Sequence, residues 1–201
     1  MEEYGLKGVD KDKWNLSSAR TALATSYDPA KFISFQYRSF DRRYTYYDDD
    51  LIARSQQKLA KHMLDRDNIA LVNARQTYGN TFAHAFMVDE MGDWNLAWNL
   101  GGCSYYPLYL YHDDGTRTPN FTSTELSALT RQLTESYVPE DILDYIYAVL
   151  HSPSYRAKYK EFLKTDFPRV PVPTQAEFDR LVPLGRELRQ LHLMKSSIID
   201  D

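Results

Sequence analysis

Apolar and polar positions alternate through the first half of this chain and recur every three or four residues through the second. Between Lys31 and Arg38, Ile33, Phe35 and Tyr37 fall on one side and Ser34, Gln36 and Arg38 on the other. That is the period of two expected of a strand with one buried face. A tight turn at Phe40–Arg42 and a second extended run at Arg43–Tyr47 complete a hairpin. Ile69–Arg75 and Phe82–Val88 read as strands on either side of a turn at Tyr78–Asn80. Cys103–Tyr111 is a further strand, with Tyr105, Tyr109 and Tyr111 on one side and Leu108 and Leu110 on the other. Pro107 cannot donate to a ladder, which predicts an edge position or a bulge there.

A short helix is expected near Ser17–Ala24, and a longer one over Leu51–Met63, opened by the acidic run Asp48–Asp50 at the positive end of its dipole. From Thr122 onward the signals are helical. Thr122-x-x-Glu125 is a capping box for Ser123–Leu133. Pro139 starts Glu140–Leu150, whose Ile142, Ile146, Val149 and Leu150 share a face. Ser152 caps Pro153–Lys164, with Tyr155, Tyr159, Phe162 and Leu163 as its buried stripe. Pro168, Pro171 and Pro173 hold an extended connection. Thr174-x-x-Glu177 then opens a terminal helix that Pro183 and Gly185 are expected to kink. Strands followed by helices predict an α+β fold, a mixed or antiparallel sheet in the N-terminal half packed against a C-terminal helical subdomain. The expected organisation is a polar segment over 1–30 and one domain over 31–201, strand-rich over 31–111 and helical over 120–201.

Composition adds limits. At 201 residues, 43% hydrophobic and 26% charged, the chain suits a soluble single domain. No run approaches the ~20 apolar residues of a membrane span, and the charged amino terminus is unlike a signal peptide. A cytoplasmic protein with no membrane partner is expected. The lone Cys103 rules out an internal disulfide or a cysteine-rich zinc site. The net charge of −4 is unevenly spread: residues 31–80 hold nine Lys/Arg against six Asp/Glu, and residues 81–150 two against ten. A basic surface beside an acidic one is compatible with this, so the total by itself decides nothing about nucleic acid.

Little in the chain suggests a reactive centre. Gly101-Gly102 stands alone, and no phosphate-binding glycine loop is present. The five histidines lack HExxH spacing. A small metal-dependent nuclease would have to use His112, Asp113 and Asp114 with Asp89 or His84, but the first three precede Gly115 and read as a solvated turn. His84, between Phe82 and Phe86, reads as a core histidine or as a DNA-facing one.

Two dense motifs remain. One is Tyr37-Arg38-Ser39-Phe40-Asp41-Arg42-Arg43-Tyr44-Thr45-Tyr46-Tyr47, and the other is YIYAVLHSPSYRAKYKEFLKTDFPRVPVP from Tyr145 to Pro173. With NARQ (Asn73–Gln76), YYPLYLY (Tyr105–Tyr111) and LGRELRQLHLM (Leu184–Met194), they make residues 32–194 resemble a known family. It is the C-terminal target-recognition domain of type ISP restriction–modification enzymes and related adenine-N6 DNA methyltransferases. Ser39 stands where the family's first motif has proline. The resemblance implies a module that reads double-stranded DNA for a methyltransferase domain in the same or a partner polypeptide. On that reading the chain is non-catalytic by itself, with no cofactor of its own and AdoMet held by the catalytic partner.

Base edges are read by arginine, asparagine and glutamine, while any basic or hydroxyl group can grip phosphate. The candidate DNA-binding residues are Gln36, Arg38, Arg42 and Arg43 on the hairpin, with Asn73, Arg75, Gln76, Thr77 and His84 around the next strands. Arg156, Lys160 and Lys164, at i, i+4 and i+8, are candidate phosphate contacts. Structural readings stand beside these. Arg38 or Arg43 pairing with Asp41 would lock the hairpin, the basic stripe reads equally as a solvated face, and strand tyrosines mostly pack. A protein-binding module that never touches DNA is a further alternative.

Overall fold

Segregation of strands and helices along the chain, as the α+β reading requires, is what the computed structural model shows; it describes residues 15–52, 55–76, 82–97 and 102–200. After α1 (Leu16–Ser26), β1 (Phe32–Arg38) and β2 (Asp41–Tyr46) form an antiparallel hairpin. Following α2 (Gln57–Met63), a three-stranded antiparallel sheet forms from β3 (Ala70–Asn73), β4 (Ala85–Val88) and β5 (Ser104–Pro107), in the order β4-β3-β5. A second small hairpin, β6 (Tyr109–Tyr111) with β7 (Arg117–Pro119), leads into α3 (Ser123–Thr130), α4 (Pro139–His151), α5 (Pro153–Lys158) and α6 (Gln175–His192).

The central sheet lies between two apolar layers. Strand alternation sends Leu71 and Met87 toward a large core shared with Leu108, Ile142, Tyr145, Tyr147, Leu150, Phe178 and Val182. Ala70, Val72, Phe86 and Val88 point the other way, into a second core with Ala60, Met63, Met91 and Leu96, where Ile33, Phe35 and Tyr47 of the hairpin are half-buried. Burial on both faces explains why β3 and β4 read as nearly continuous apolar runs. The hairpin and the C-terminal helices thus cover opposite faces of one sheet.

Local signals placed most elements, and tertiary partners moved their ends. Pro107 does end β5, which pairs with β3 alone and is an edge strand. The expected long strand is therefore two short ones. The expected helix over Leu51–Met63 starts only at Gln57; Asp48, held by Lys31, accepts from the Asp50 amide and closes a single turn through the Leu51 and Ile52 amides. Thr122 caps α3 through the Glu125 amide as expected, but the helix stops at Thr130. Ser152 caps α5, which ends at Lys158 rather than Lys164. The chain must turn back there so that Tyr155 and Tyr145 can donate their hydroxyls to the carbonyls of Arg169 and Pro171, at 2.9 and 2.8 Å. These bonds pin the proline-rich connection. The hairpin turn is Ser39–Phe40, tighter than expected, with Phe40 in the left-handed region at φ 63°. Its ring lies 5.0 Å from Phe86 and 5.6 Å from His192, packing that offsets the backbone strain. The turn expected at Tyr78–Asn80 lies outside the described residues.

Helices α4 and α6 form the main helical contact, and α6 runs unbroken through Pro183. Asp144 on α4 is fully buried and receives a bidentate pair from Arg189 on α6, at 2.6 and 2.9 Å. Gly185 permits the approach, since a Cβ there would run into the main-chain carbonyl of Asp144.

Candidate nucleic-acid interface

On the hairpin, the expected DNA-reading residues meet an acidic loop that follows β4. Gln36 is buried at 4% exposure; its amide donates to Met91 O and its carbonyl accepts from Asp93 N, tying β1 to that loop. Its side chain donates to Arg38 O at 2.8 Å. Burial and these bonds make Gln36 a brace between β1 and the loop. Arg38 places both hydrogens of Nη1, one on Tyr37 O and one on Asp93 Oδ1 at 3.0 Å. Arg42 spends the end of its guanidinium on Asp89 at 2.8 Å and Glu90 at 3.4 Å. Asp89 also pairs with Lys195 at 2.6 Å.

Arg43 is different. Asp41 and Arg43, two apart on one strand, share a face, and the carboxylate takes Nε and Nη2 along one side of the guanidinium at 2.7–3.1 Å. That hydrogen bonding lowers the Asp41 pKa and raises that of Arg43. The hairpin register slips between Gln36 and Arg38, so Tyr37 is an extra, bulged residue. The Arg43 guanidinium carbon sits 4.1 Å from the centre of its ring, and that of Arg38 sits 4.0 Å away.

A second set collects at the far end of the central sheet. Arg75 has a side chain 66% exposed, lies 3.5 Å from Asp166, and stands over Phe167. Gln76 reaches the carbonyl of Thr165 at 3.5 Å. Thr77 lies outside the described residues. Asn73, on β3, is buried at 5% exposure, which gives it no outward face. His84 is buried too, and burial, with Arg156 nearby, holds its pKa below the ordinary histidine value. Arg156 proves half-buried: Nε donates to Leu150 O at 2.6 Å, Nη2 meets His151 at 3.1 Å, and burial lowers its pKa. It is a brace, not an open cation. Lys160 is exposed beyond the end of α5, and Lys164 pairs with Glu161 at 2.9 Å on a separate turn. The expected basic stripe over Arg156, Lys160 and Lys164 is therefore broken, because the helix ends before it is complete.

The hairpin set and the strand-end set do not merge. Arg42's carboxylate partners follow Val88 at one end of β4, whereas Arg75 and Gln76 extend β3 past Asn73, which pairs with Ala85 at the other. The four residues of β4 and the flanking position at either end, at about 3.3 Å per residue, put roughly 15–20 Å between the two sets. The tyrosine concentrations mostly pack: the hydroxyls of Tyr105, Tyr109 and Tyr111 donate to Asp93 O, Glu140 and Asp67 O. Tyr44 is exposed. His112 and Asp114 bond to Thr118 and Thr116 within the β6–β7 hairpin. Among the described residues no group of three or more His, Cys, Asp or Glu is placed to hold a metal.

Sequence reasoning missed Glu90, Asp93, Tyr37 and Lys195, and named Asp89 only as a possible metal ligand. The signal for the acids was present in the crowding of negative charge after residue 81, opposite the basic segment that precedes it. No local signal marks the bulge at Tyr37.

Comparison with known proteins gives the relationship. A structure described as the DrdV–DNA complex matches with a TM-score of 0.73 and 30% identity over 84% of this chain and 16% of that one. The nuclease-deletion mutant of the Type ISP restriction–modification enzyme LlaGI, in complex with a DNA substrate mimic, gives 0.64 and 26% over 84% and 14%. The ATP-dependent Type ISP enzyme LlaBIII bound to DNA shares the fold at 0.72, with 24% identity over 92% and 12%. The chain thus spans about a sixth to an eighth of the length of these enzymes. No curated protein sequence matches it. Among the described residues no helix is long and apolar enough to cross a membrane. The family model for the Type ISP C-terminal specificity domain matches residues 1–200, and the chain belongs to that family.

Proposed function

We propose that this chain binds double-stranded DNA and reads its sequence for a restriction–modification enzyme, without performing chemistry itself. The observation that carries the reading is membership of a specificity-domain family, joined by structural likeness to enzymes described with DNA or a DNA mimic bound. Groove contacts come from the hairpin, where Arg43 has one open edge, and from the strand end, where Arg75 and Gln76 are exposed. Lys160, and Lys164 when drawn from Glu161, supply phosphate contacts beside them. A methyltransferase domain of the same or a partner polypeptide, holding AdoMet, flips and methylates the adenine. Arg156, His84, Gln36 and Asn73 serve this function by holding the strands that carry the contacts.

Fluorescence anisotropy with a labelled 30-base-pair random-sequence duplex pool, over a series of salt concentrations, tests the reading. Binding should weaken linearly in log–log form, with a slope that counts the phosphates neutralised. No binding at low salt, or affinity indifferent to salt, would defeat it.

A further inference from the structure

Three hairpin arginines are close in sequence but differ in what their guanidinium groups have left to offer. A guanidinium recognises a paired acceptor with the fork at its Nη1/Nη2 end or with its Nε/Nη2 side. Arg42 has its end fork on Asp89 and Glu90, and Arg38 has Nη1 engaged, so each keeps only its Nε/Nη2 side, on side chains 40% and 37% exposed. In Arg43 the side of the group is held by Asp41 and the end fork has no partner among the described residues. Its side chain is 58% exposed, and the Tyr37 ring beneath limits the directions it can take. Arg75 is also exposed, but its carboxylate contact is looser at 3.5 Å.

We propose that Arg43 is a preorganised recognition fork for a paired acceptor on duplex DNA, with Asp41 and Tyr37 as the positioning residues that aim it. The proposal rests on the DNA-reading function and adds to it which group reads and how it is held. Two acceptors on DNA match the fork: O6 and N7 of a guanine in the major groove, and two oxygens of a phosphate. A side-on carboxylate fixes the plane of the guanidinium, and an aromatic face fixes its tilt, so less side-chain freedom remains to be lost on binding.

Asp41 supplies a test whose sign separates aiming from plain electrostatics. Asp41→Asn removes a negative charge near the duplex, so long-range attraction alone predicts tighter binding. If the carboxylate aims Arg43, affinity falls several-fold instead. The full chain and its Arg43→Lys, Asp41→Asn and Tyr37→Leu variants are titrated against the random 30-base-pair duplex pool and then used to select sequences from it. Melting midpoints check that the substitutions leave the fold intact. Arg43→Lys, which keeps the charge and loses the fork, should weaken binding to the selected duplex roughly 5- to 100-fold. With guanine as the acceptor, the wild-type selection holds a guanine at one position that Arg43→Lys no longer requires. With phosphate, the loss is uniform over all sequences. Arg43→Lys binding and selecting like the wild type, or Asp41→Asn binding equally well or better, overturns the proposal alone. A wild type that binds no duplex overturns the DNA-reading function, and the proposal with it.

Discussion

Asp144 places a buried charge at the contact between α4 and α6. It is completely buried and bidentate to Arg189, so removing it strands a guanidinium between α4 and α6. Asp144→Ala should cost about 3–5 kcal/mol in urea denaturation, whereas loss of the exposed Arg43–Asp41 pair should leave the urea midpoint almost unchanged. An Asp144→Ala protein as stable as the parent would show that the pair contributes no more than its desolvation cost. The buried histidines set a pH dependence. His151 is pushed down to about 4 by burial, with Arg156 and His192 adding to the effect, and burial also lowers His192 and His84. A folded pKa below the unfolded value near 6.5 means that the unfolded chain binds more protons. Stability is therefore complete above about pH 6.5 and declines as pH falls toward about 4. Urea midpoints measured from pH 7.5 to pH 4.5 should show this decline, and His151→Gln should flatten part of it. At this scale the sequence revealed residue types but not partners. It allowed Arg38 or Arg43 to pair with Asp41; the fold gives Asp41 to Arg43 and Asp93 to Arg38, a choice made by long-range packing of the loop after β4.

Elements were legible where their signals are local. The capping box at Thr174 forms as written: its hydroxyl accepts from the Glu177 amide, and the Glu177 carboxylate accepts from the Thr174 amide at 2.8 Å. Thr174→Ala should lower stability by ~1 kcal/mol through α6, measured by thermal melting. An unchanged midpoint would mean that α6 is held by its packing alone. The hairpin, the edge strand at Pro107 and the cap at Ser152 were equally readable. Boundaries set by distant contacts were not. The early end of α5 goes with Tyr155 reaching Arg169, and the bulge follows Gln36, whose backbone bridges to Gly92 across 56 residues of chain. The break in the basic stripe follows directly from the first of these.

For the molecule as a whole, the fold class followed from the order of elements, but the sandwiching of one short sheet between two cores did not. Since β3 and β4 contribute alternate side chains to both cores, neither layer keeps its sheet face if the other is lost. Denaturation should therefore be a single transition, with far-ultraviolet circular dichroism and tyrosine absorbance superimposing. Two separated midpoints would mean that the helical half holds together by itself. The last turn of α6 strengthens this expectation. His192 stacks on Phe86 and meets Phe40 at the hairpin tip and Tyr147 of α4, while Lys195 reaches Asp89. Hairpin and terminal helix thus meet at one joint. A force that tilts the fingertip of the domain is transmitted to the shaft of its longest helix, and the grip cannot shift without the handle turning.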